Sequence, residues 1–79
     1  MSAYIHLEIE DARARKWSVG QQKYGPKFVG HPLEQFDEEM LDALNYVDEA
    51  ERWGFDMGSI AVELRGICER VRAMYHGDA

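Results

Sequence analysis

Glu38, Glu39 and Asp42 bring three carboxylates within five positions of one segment. At helical pitch, side chains three and four residues apart share a face. Glu39 and Asp42 have the first spacing, and Glu38 and Asp42 have the second. A carboxylate pair of this kind suits Mg²⁺, which takes oxygen ligands and keeps several of its waters. Lys23 and Lys27 precede this segment on a stretch punctuated by Gly25, Pro26, Gly30 and Pro32. Lysine ammonium groups there are placed to meet phosphate oxygens. The opposing reading is a solvated acidic face flanked by surface lysines, because fifteen acidic residues in 79 produce a Glu-x-x-Asp easily. Glu34-x-x-Asp37 is a second instance. Asn45 and Tyr46 lie one turn beyond Asp42. They either contact a base or ribose or form a buried, hydrogen-bonded pair.

The elements that must position these residues are helices. Pro32 suits a first helical turn, where its missing N–H would have no partner. Leu33, Phe36, Met40, Leu44 and Val47 then recur at helical spacing, widened by Leu41 and Ala43, which predicts a helix from about Pro32 to Trp53. Gly54 is a natural stop. Asp56 or Ser59 can cap a third helix running to about Tyr75. Its apolar stripe is expected at Ile60, Leu64, Ile67, Val71 and Met74, stepping by four and three. These two helices should form an antiparallel hairpin. An earlier helix is expected from about Ala3, capped by Ser2, to Gln22, with Lys23 to Pro32 as loop. Ile5, Leu7 and Ile9 alternate there as a strand would, and the alanine and arginine residues that follow favour helix.

Residues 1–79 thus read as one all-α domain, a three-helix chain with an antiparallel hairpin. Amphipathic helices this few cannot cover Trp17, Phe28, Trp53, Phe55 and Tyr75, so assembly into a helical-bundle homo-oligomer is expected. The net charge of −6 argues against a nucleic-acid partner, which needs a cationic surface. No stretch is apolar or long enough to predict a membrane partner. A single cysteine, Cys68, excludes an internal disulfide and suits a reducing, cytoplasmic setting with no secretory leader expected. Cys68 is expected as a small buried hydrophobe. Met40, Met57 and Met74 are expected to fill the core. His6, His31 and His76 lack zinc-site spacing.

Lys23-Tyr24-Gly25, Pro32-Leu33-Glu34 and the run Glu38-Glu39-Met40-Leu41-Asp42-Ala43-Leu44-Asn45-Tyr46 together resemble small phage-type proteins related to the MazG-like, all-α nucleotide pyrophosphohydrolases. The likeness covers about a third of the chain. It implies a helical, oligomeric, Mg²⁺-dependent protein that cleaves nucleoside triphosphates to monophosphate and pyrophosphate. Glu38, Glu39 and Asp42 would then be the catalytic, metal-binding set, Lys23 and Lys27 the phosphate contacts, and Asn45 and Tyr46 the base or ribose contacts. Glu39-x-x-Asp42 matches the family's Glu-x-x-Asp. Its Glu-x-x-Glu on the partner helix has no counterpart here, and Glu8-x-x-Asp11 is the nearest substitute. The alternatives are a non-catalytic protein that sequesters a nucleotide signal, and an acidic helical surface that inhibits a host protein.

Overall fold

The structure, a computed structural model, describes residues 4–25 and 30–77, with the backbone alone at Lys23 and Tyr24. Ser2 and Phe28 lie outside the described residues. The described residues form three helices and no strand: α1 (Ile9–Tyr24), α2 (Pro32–Arg52) and α3 (Gly58–Gly77). No helix among them is long and apolar enough to cross a membrane.

The hairpin of α2 and α3 is built as its sequence requires. His31 caps α2, its Nδ1 accepting from Leu33 N–H at 3.1 Å, and Pro32 follows at the first helical position. At the other end Trp53 is the C-cap and Gly54 adopts φ 98°. Gly54 N–H donates to Glu51 C=O and Phe55 N–H to Ala50 C=O, which is the Schellman pattern and ends the helix cleanly. Asp56 then accepts from Gly58 N–H and turns the chain into α3. The two helices run antiparallel: Arg72 meets Asp37, and Tyr75 meets Glu34.

The rotation of α3 differs from the expected stripe. Leu64 and Val71 face α2 as expected, and Ile67 is half-buried. Ile60 and Met74 are exposed, at 42% and 56%. The seam instead follows Ala61, Leu64, Cys68, Val71 and Tyr75, all buried or half-buried. Polar contacts across the open end hold this rotation, because turning α3 toward Met74 would carry Arg72 and Tyr75 away from Asp37 and Glu34. On α2, Val47 is buried and Leu33, Met40, Ala43 and Leu44 are half-buried, whereas Phe36 and Leu41 remain largely exposed. Met40 and Met57 are half-buried, and Met74 is not a core residue of the hairpin. Among the described residues only Val47, Cys68 and Val71 are buried apolar side chains.

The first helix starts six residues later than expected. Tyr4 to Leu7 forms a turn closed by Leu7 N–H to Tyr4 C=O at 3.0 Å. β-Branched Ile5 and the alternation around it disfavour helix there, and α1 begins where Glu10 and Asp11 complement its N-terminal dipole. It also extends past Gln22, so Lys23 ends a helix rather than opening a loop. Among the described residues no Cα of α1 comes within 8 Å of α2 or α3.

Candidate functional site

Helical geometry separates the acidic residues of α2 into two groups. At about 100° per residue, Asp37 lies beside the α3-facing seam. Its carboxylate accepts from Arg72 Nε at 2.8 Å and Nη2 at 3.0 Å, a bidentate pair. That hydrogen bonding, with the guanidinium charge, holds the Asp37 carboxyl below the usual range and raises Arg72. Glu34 accepts from Tyr75 O–H at 2.6 Å, which pushes the phenol above its ordinary value, the bond first and the carboxylate charge second. Glu49 accepts from Arg52 and from Trp53 Nε1 at 3.1 Å. These three carboxylates serve the fold.

Glu38, Glu39 and Asp42 form the second group. All three are exposed, and none has a hydrogen-bond or ion-pair partner among the described residues. Glu38 and Asp42 sit one turn apart, about 40° around the axis. Asp42 points about 160° away from the Met40 side of the helix, so α3 cannot close over it. The structure therefore brings Glu38 and Asp42 onto one open face and sets Glu39 round the helix toward Tyr46. Two carboxylates fit a Mg²⁺ that draws its other ligands from water and substrate phosphate. They do not fit an all-protein cage, and among the described residues no three metal-ligating side chains converge.

Asn45 and Tyr46 are both exposed, Tyr46 at 76%, and neither has a hydrogen-bond partner among the described residues. The buried, hydrogen-bonded pair is thus corrected: at this position in α2 both side chains fall outside the seam with α3. Lys27 and the Lys23 side chain lie outside the described residues. Glu8 sits at the start of α1 without capping it, and Asp11 occupies its first turn.

Glu38 also borders a shallow cleft of about 330 Å³ at the open end of the hairpin, shared with Leu33, Asp37, Arg72, Tyr75 and His76. His31 meets the Tyr75 ring edge-on at 5.0 Å, and His76 meets it at 5.5 Å. Because Asp37 engages the Arg72 guanidinium, this cleft offers no unopposed arginine to an anion. The residues that organise it, His31, Asp37, Arg72 and Tyr75, were not singled out as site residues in the sequence. One signal for them is the seven-residue step Ala61, Cys68, Tyr75, which runs beside the more apolar stripe. Comparison with known protein families, curated proteins and solved structures gives no match.

Proposed function

We propose that this protein binds nucleotides as a MazG-like helical oligomer, and that Mg²⁺-dependent cleavage of a nucleoside triphosphate to monophosphate and pyrophosphate is the reaction its carboxylates serve. One observation carries the reading: on α2 the carboxylates of Glu34, Asp37 and Glu49 are engaged, while those of Glu38, Glu39 and Asp42 are left without partners among the described residues. Glu38 and Asp42 would hold Mg²⁺ through one oxygen or more each, and Glu39, about 60° round the helix from Asp42, would add negative charge beside them. The bound ion supplies charge neutralisation and water activation. Lys23 and Lys27 bind phosphate oxygens, a carboxylate of the set positions the attacking water, and Asn45 and Tyr46 offer an amide and a ring to base or ribose.

The openness of this face supports a second reading. A carboxylate face with no wall around it suits sequestration of a nucleotide without turnover, or docking of a basic surface on a host protein. A thermal-shift series with nucleoside triphosphates and cyclic nucleotides, each with and without Mg²⁺, separates these readings. Stabilisation by triphosphate that requires Mg²⁺, followed by pyrophosphate release, supports the hydrolase. Stabilisation without metal supports sequestration. No response to any nucleotide leaves the protein-docking reading.

A further inference from the structure

One flank of the hairpin is mainly polar, with Leu41 as an exposed apolar side chain of α2 there, and the other is apolar. Asp37 and Arg72 mark the polar flank. On the opposite flank α2 contributes Phe36, Ala43 and Ala50, and α3 contributes Ile60, Ile67 and Met74. Each set repeats every seven residues. The register fixed by Asp37–Arg72 and Glu34–Tyr75 sets Phe36 level with Met74, Ala43 with Ile67, and Ala50 with Ile60. The result is a face of three apolar layers, bulky at the open end and smaller toward the connection. Phe36, Ile60 and Met74 are 40%, 42% and 56% exposed.

We infer that this face is covered by the same face of a second copy, packed with its helix directions reversed. Reversal is favoured by size. It sets the Phe36 and Met74 layer of one copy over the Ala50 and Ile60 layer of the other, and the Ala43 and Ile67 layers over each other at the two-fold axis. Packing in the same direction would crowd four bulky side chains at one end and leave a void at the other, and both defects cost stability. Charge points the same way. Glu63 and Arg70 lie at the α3 edge of the face, exposed and without partners among the described residues. They lie four residues before and three residues after the central Ile67, so reversal sets Glu63 of each copy near Arg70 of the other. The first helix is a poor occupant. Its exposed Ile9, Trp17 and Val19 are spread around the axis, with no seven-residue repeat to meet the three layers. The inference deepens the oligomeric part of the proposed function and is independent of its chemistry.

Sedimentation equilibrium of the full chain, without nucleotide or metal, tests it. A reversible dimer is expected. Glu63→Arg and Arg70→Glu should each weaken it, with the dissociation constant rising roughly tenfold from two like-charge contacts per dimer. An equimolar mixture of the two variants should recover tight association. In the mixed dimer the two substituted positions face each other with opposite charges, and the unaltered Glu63 of one chain faces the unaltered Arg70 of the other. Both substitutions are at exposed sites, so helical circular dichroism should be unchanged. A monomer at every accessible concentration overturns the inference and leaves the face to α1 or to a different protein. A dimer that ignores the charge reversals, or that the mixture does not rescue, overturns the reversed arrangement. Because no nucleotide is present, these results stand or fall apart from Mg²⁺-dependent binding.

Discussion

Val71 and Met74 look alike in the sequence stripe and differ in the structure, which makes their substitution by alanine a sharp comparison. Val71 is 8% exposed, at the seam with α2 and one turn from buried Cys68, and Met74 is 56% exposed on the apolar flank. Val71→Ala removes two buried methyl groups. At about 0.8 kcal/mol per buried carbon, and with a small cavity left behind, the cost is about 1.5 to 3 kcal/mol. That is a large part of the marginal stability a domain of this size can have. Met74→Ala gives up half-hydrated surface and gains helix propensity, so the hairpin should change by no more than about 0.5 kcal/mol. Urea unfolding followed by circular dichroism measures both. It should be run at several protein concentrations, because Met74 also lies on the proposed dimer face and its contribution there appears only when copies associate. Equal losses at the lowest concentration would refute the rotation of α3 described above.

Gly54→Ala should cost about 1 kcal/mol, read from the urea midpoint, since φ 98° strains any side chain even though an added Cβ would meet nothing within 4 Å. His31→Ala should cost about 1 kcal/mol by removing the α2 cap, and His31→Asn should restore most of it, both read by thermal unfolding. The pH profile of stability should carry two signatures. Asp37 has a lowered folded-state value, so its contribution is present above the ordinary aspartate range and is lost as pH falls through the folded value; Asp37→Asn should flatten the acid limb below about pH 4. Tyr75 has a raised value, so its contribution is present below about pH 10 and is lost as pH rises through the folded value; Tyr75→Phe should flatten the alkaline limb.

The elements that announce themselves locally were legible. Pro32, Gly54 and Asp56 each fix the backbone through their own chemistry, and the bounds of α2 and the turn into α3 followed from them. The apolar repeat of α2 gave the hairpin. What a repeat cannot give is the rotation of α3 about its own axis. Two stripes with the same four-and-three step lie side by side on it. The one through Ile60, Ile67 and Met74 carries more hydrocarbon, yet the one through Ala61, Cys68 and Tyr75 faces α2. That rotation is the one that pairs Asp37 with Arg72 and Glu34 with Tyr75, residues separated by 35 and 41 positions, which no local pattern reveals. The start of α1 is hidden for a different reason: the alanine and arginine run favours helix without marking where it begins, and a turn forms at Tyr4 to Leu7. At the candidate site, the carboxylate spacing of Glu38 and Asp42 could be read directly. That Glu34 and Asp37 would be taken up by the fold could not, because their partners lie on α3.

Asp42→Asn bears most directly on the central claim. Apo stability and Mg²⁺-dependent nucleotide stabilisation should be measured together for this variant and the parent chain. Removing one of three crowded carboxylates, unpartnered among the described residues, should leave the apo protein as stable or slightly more stable, because like charges one turn apart repel. It should abolish the Mg²⁺-dependent shift with nucleoside triphosphate, since a neutral amide is a poor ligand for so hard a cation. A parent chain that shows the shift and an Asp42→Asn chain that keeps it in full would contradict the assignment of the α2 carboxylates to the metal and nucleotide site.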